Sequence, residues 1–126
     1  PEKPFGWIKL LEESILNDSF EEFCNLEQDI IKHDLSDYRI DVYLAFGHEK
    51  FNNNEKSLKI ISKVINLISK DTLPKRLATR IHLKNGDKKM ALNLYQEIEP
   101  KADINNIEEF LEKEEFKDKL PLYYDF

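Results

Sequence analysis

The chain holds one cysteine, three glycines and five prolines, and it has no long apolar run. The lone Cys24 excludes an internal disulfide framework and leaves no thiolate set for a zinc or iron–sulfur centre. A single free thiol suits a reducing compartment, so a cytoplasmic location is expected. So few glycines and prolines leave little material for the tight turns of a β-sandwich. The longest apolar-rich stretch, Leu58 to Ile68, is interrupted by Lys59, Ser62, Lys63 and Asn66. That falls short of the ~18 apolar residues of a membrane span, and no membrane insertion is expected. His-Glu-x-x-His pairs, glycine-rich phosphate loops and nucleophile elbows are all missing from the sequence, so no catalytic residue, metal or cofactor is expected. There is no initiator methionine; Pro1 is either a processed terminus or a cut boundary, with the boundary expected and room for sequence upstream.

What is present is charge and helical periodicity. At 126 residues, 40% hydrophobic and 35% charged, the chain is expected to fold as one soluble helical domain over 1–126. The net charge of −6 is unevenly laid out. Residues 1–37 hold ten acids against three lysines, and 106–126 hold seven acids against three lysines. Between them, 38–71 carry six bases against four acids and 72–105 seven against four, a basic waist between acidic ends. Such a layout is a solvated surface or a strip that steers a charged ligand.

Apolar or small residues return every 34 positions. With Asp18, Asn52 and Gly86 set at bends, Phe23, Ser57 and Ala91 share a column; Glu27, Ile61 and Tyr95 share another; and Ile30, Val64 and Ile98 a third. Ahead of the bends, Leu10, Leu44 and Ala78 align, followed by Leu11, Ala45 and Thr79. A period of this length predicts helix–turn–helix units that bury their apolar faces on one another. The units run over about 4–37, 38–71 and 72–103. A capping helix is expected over about 104–120 and an aromatic tail over 121–126. Pro4 suits a first helical turn, Ser19 an N-cap with Glu21 and Glu22 behind it, and Asn52-Asn53-Asn54 and Asn85-Gly86-Asp87 suit bends. Pro100 stops the sixth helix early.

These columns resemble the tetratricopeptide repeat, whose first helix reads W-x2-L-G-x2-Y and whose second reads A-x3-F before a proline. Trp7 and Leu10 fit the first unit; Leu44-Ala45 and His48 stand in the second; Thr79, His82 and Ala91-x3-Tyr95 stand in the third. The resemblance covers about 4–100. It implies an all-α superhelix of three antiparallel hairpins whose leading helices line a concave groove for a peptide or protein segment. Column by column, the groove residues would be Phe5, Ile8 and Glu12; Arg39, Val42, Phe46 and Glu49; and Leu73, Arg76, Arg80 and Leu83. The lysine–asparagine set that clamps a C-terminal carboxylate in some members is missing from these positions.

Arg76, Arg80 and Lys84 stand at i, i+4 and i+8, one cationic stripe on a helix, which Arg39 could join. The partner-binding set expected is therefore Arg39, Val42, Phe46, Leu73, Arg76, Arg80, Leu83 and Lys84, holding an acidic, partly apolar peptide. No nucleic-acid motif accompanies the stripe, and none is expected to bind. His48 and His82, one period apart, read as packing residues rather than ligands, and Cys24 as a small buried hydrophobe. Tyr123, Tyr124 and Phe126 could cover the last apolar surface or mediate self-association. The expected function is a non-catalytic adaptor, chaperone or scaffold. The alternatives are an acidic, immunity-type inhibitor of a basic toxin or enzyme and a regulatory segment of a longer protein.

Overall fold

A computed structural model describes residues 4–35, 37–68, 70 and 72–113. Among these there are seven α-helices and no strand: α1 (Pro4–Leu16), α2 (Phe20–Lys32), α3 (Tyr38–Lys50), α4 (Asn54–Leu67), α5 (Thr72–Lys84), α6 (Lys88–Tyr95) and α7 (Ile107–Glu112). They fall into two compact units that divide within α4, between Ile60 and Ile61. The expected tail residues Tyr123, Tyr124 and Phe126 and the second half of the expected capping helix lie outside the described residues.

The 34-residue period reappears as backbone geometry. Asp18, Asn52 and Gly86 all take a left-handed conformation, with φ of 59°, 66° and 80°. At each bend two hydrogen bonds close the preceding helix. The N–H groups of Ser19, Asn53 and Asp87 donate to the carbonyls of Ser14, His48 and His82 at 2.9, 2.7 and 2.9 Å. Those of Asp18, Asn52 and Gly86 donate to Ile15, Glu49 and Leu83 at 3.2, 3.1 and 3.0 Å. This is the two-bond Schellman closure, which needs a residue that tolerates positive φ. The next residue in each case opens the following helix. Ser19 Oγ accepts from Glu22 N–H, Asn53 Oδ1 from Lys56 N–H and Asp87 Oδ1 from Met90 N–H, at 3.4, 3.4 and 3.2 Å. Three short sequences, Asp-Ser, Asn-Asn and Gly-Asp, thus make one and the same turn.

In the first unit α1 packs on α2 and α3. Trp7, Ile8, Leu11 and Ile15 from α1 meet a core that includes Phe23 and Ile30 from α2 and Ile40 to Phe46, apart from Asp41, on α3. From Val42 to Glu49 every residue of α3 is buried: Val42 to Phe46 are apolar around more than one full turn, and the polar His48 and Glu49 are buried beyond them. Phe23 occupies a column that holds Ser57 and Ala91 elsewhere, yet all three are fully buried. Gly47 accommodates the large ring: a Cβ there would overlap Phe23 at Cε1, Cζ and Cδ1.

In the second unit α5 packs on α6. Ala91, Tyr95, Ala102 and Ile107 form its buried cluster, with Leu83, Leu92, Ile98, Phe110 and Leu111 packed around it. Helix α6 is only eight residues long, against thirteen and fourteen for α2 and α4. Pro100 has no N–H to donate to the Gln96 carbonyl, so the helix cannot run on through this point. The chain from 96 to 106 is instead held by Gln96 Nε2 donating to the Ala102 carbonyl at 3.0 Å and by Asp103 and Asn106, which accept from each other's N–H at 2.9 and 2.7 Å.

Candidate functional site

The expected binding residues divide between α3 and α5, one helix in each unit. On α3, Val42 and Phe46 are buried and present no surface to a ligand. Arg39, half-buried, is engaged with the residue that caps its own helix. Its Nε donates to Asp37 Oδ1 at 3.1 Å and its Nη2 to Asp37 Oδ2 at 2.9 Å, while its backbone N–H donates to Oδ1 at 2.9 Å. The Arg39 hydrogen bond holds the Asp37 carboxyl below its ordinary range, against the opposing effect of burial. On α5, Leu73 is buried, and Leu83 lies half-buried against the Ala91–Tyr95 cluster.

Arg76, Arg80 and Lys84 remain as the accessible part of the expected set in the second unit. They lie on α5 at four-residue steps, Arg76 and Arg80 half-exposed and Lys84 exposed. A helix advances 400° over four residues, so the three cations follow one gently turning stripe. Arg76 Nε reaches back to Thr72 Oγ1 at 3.4 Å, at the start of the helix. Lys75, one residue off this stripe, pairs with Glu97 at 3.7 Å.

A second constellation, not anticipated as a unit from the sequence, lies inside the first unit. Glu27 on α2 receives His48 Nε2 from α3 on Oε2 at 2.6 Å and Lys56 Nζ from α4 on Oε1 at 3.0 Å. Both the Glu27 and His48 side chains are nearly buried, whereas the Lys56 side chain is 46% exposed. Burial pushes the Glu27 carboxyl up, but the His48 and Lys56 hydrogen bonds and charges outweigh it and leave the group below 4.5. The carboxylate is therefore the acceptor, and His48 Nε2 carries the proton of that bond. The His48 ring also stands edge-on to Phe23, with centroids 5.1 Å apart. One buried carboxylate thereby ties three helices together, and both of its oxygens are occupied. His82, one period later, is half-buried.

The signal for this cluster was present in the columns. Glu27 stands where the other two units have Ile61 and Tyr95, and a carboxylate in a buried column requires donors. His48 shares its column with Ser14 and His82. Among the described residues no three His, Cys, Asp or Glu side chains are grouped to hold a metal ion. No helix there is long and apolar enough to cross a membrane. The chain matches no protein-family model, no curated protein and no solved structure.

Proposed function

We propose that the three hairpins are tetratricopeptide-like repeats and that the chain is a non-catalytic protein-interaction module. In this reading the cationic face of α5 receives an acidic peptide or protein segment. Arg76 and Arg80 are the principal contacts and Lys84 extends the stripe. Guanidinium groups suit this task because their planar fork donates two hydrogen bonds to one carboxylate. Leu83 offers a half-buried apolar edge for a neighbouring side chain of the ligand.

The observation that carries the proposal is the recurrence of one turn, with the same left-handed residue and the same pair of closing bonds, at Asp18, Asn52 and Gly86. Helical hairpins repeated at a fixed interval are an architecture used chiefly to present binding surfaces. Placing three cations in register on one helix is the second support. The Glu27–His48–Lys56 group is read as structural: a charge that is nearly buried, with both oxygens engaged, holds helices rather than turning over substrate.

The test is capture of partners from the native host by the intact chain, with identification by mass spectrometry and a paired Arg76→Glu/Arg80→Glu variant. An acidic segment retained by the wild type and weakened at least ~tenfold in the variant is the expected outcome, the loss of two charge-assisted contacts. Equal retention by both proteins would remove α5 as the binding face.

A further inference from the structure

The three identical turns carry different chemistry, and the first and third are opposites. In the first, Leu16 and Phe20 are exposed large apolar side chains, and Glu13, Asp18, Glu21 and Glu22 are exposed around them. Phe20 is steadied from below by Phe51, with ring centroids 5.3 Å apart and an edge-to-face tilt, and Phe51 in turn rests on Phe23. In the third, the matching positions hold Lys88 for Phe20, Lys89 for Glu21 and Met90 for Glu22. Lys88, Lys89 and Met90 are all exposed, and so is Lys84 one turn earlier. Asp87 is the one acid within this turn, and its Oδ1 is engaged by Met90 N–H. Lys88 also faces Glu108 at 3.5 Å, a pair more than half exposed on both sides and readily exchanged for another carboxylate. The middle turn, at the same positions, reads Asn54, Glu55 and Lys56, has no net charge, and directs Lys56 inward to Glu27.

We propose that the chain associates head to tail with a second copy of itself, the acidic Phe20 turn of one copy docking on the basic Met90 turn of the other. The charges are complementary, the backbones that present them have the same geometry, and each side offers an apolar anchor. A thioether laid against a phenyl ring is a favourable pairing. The contact is heterologous: a pair joined by it leaves the Met90 turn of one copy and the Phe20 turn of the other unused, so further copies can add. It is small and charge-led, so it depends on concentration and salt. The inference goes beyond the peptide-binding reading and uses neither Arg76 nor Arg80, so the two can fail separately.

Sedimentation velocity of the intact chain decides it. The weight-average sedimentation coefficient should rise between ~10 µM and ~1 mM protein at ~50 mM NaCl and fall back to the monomer value at ~500 mM, where screening is nearly complete within a few ångströms. Glu21→Lys/Glu22→Lys and Lys88→Glu/Lys89→Glu should each weaken association at least ~tenfold when alone, through like-charge juxtaposition, and an equimolar mixture of the two should restore it. Phe20→Ser should weaken it with no change in charge. Helix content by circular dichroism checks each fold, and Glu21→Gln/Glu22→Gln gives a milder second variant at the same positions. A monomer at every concentration in low salt overturns the proposal, as does association that the reversals leave unchanged. Binding of an added lysine-rich peptide at the Phe20 turn by a chain that stays monomeric would also overturn it, assigning that face to an outside basic partner.

Discussion

The two units answer the same periodicity with different cores. At matching positions the first has Phe23 and Glu27 where the second has Ala91 and Tyr95, and all four are buried. In the first unit a large ring is fitted over a glycine, and an ionised carboxylate is held by donors from two other helices. In the second, the equivalent space is filled by alanine, tyrosine and isoleucine without a buried charge in the cluster. The comparison shows that a repeat dictates where the chain turns and which positions face inward. It leaves open whether those positions are stabilised by apolar burial alone or by a polar network, and the two solutions respond differently to mutation and acid.

Truncating the aromatic plug should have the largest effect. Phe23→Ala removes a fully buried ring and should cost about 3–5 kcal/mol in urea denaturation. In the other unit, Ile107→Ala, also fully buried, should cost about 2–5 kcal/mol, with no change in that cost across the acidic range. Gly47→Ala should cost about 1–3 kcal/mol by overpacking. Combined with Phe23→Leu it should cost less than the two changes separately, because the contact lies between the same two residues. An additive double mutant would mean that Gly47 is not there to admit the ring.

Glu27→Gln tests the polar solution. It should cost about 1–3 kcal/mol at neutral pH by weakening two buried or half-buried hydrogen bonds. The Glu27 carboxyl lies below its ordinary 4.5 when folded, so its contribution is fully present above that value and is lost as pH falls through the lowered one. The gap between wild type and Glu27→Gln should therefore close below pH 4.5, and thermal melts across the acidic range will show whether it does. A gap that stays constant would mean that the carboxylate is not held as described. The smallest effect should come from the shared turn. Gly86→Ala meets no neighbouring atom, so its cost is backbone strain alone at φ +80°, about 1–2 kcal/mol.

Much of this fold was legible in the residues. Asp18-Ser19, Asn52-Asn53 and Gly86-Asp87 mark the turns because they combine tolerance of positive φ with a side-chain oxygen for the next helix. The early end of α6 followed from Pro100. The binding set is less legible. The repeat columns place Val42, Phe46 and Leu73 on a ligand surface, but the structure buries all three. Arg39 has the charge to join a cationic stripe, but it is forked onto Asp37 two residues away. A helical column specifies the direction of a side chain from its axis, whereas exposure depends on what other helices bring to that side.

The sequence by itself determined the all-helical class, the 34-residue rhythm and the three matching turns. Each of these rests on interactions spanning five residues or fewer, such as propensities, caps and left-handed closures. Only the tertiary structure decided that Gly47 receives Phe23 and that Glu27, His48 and Lys56 form one cluster. Those partners are 21 and 29 residues from Glu27, beyond the reach of any local pattern, and only packed helices bring a buried carboxylate to the donors that keep it ionised.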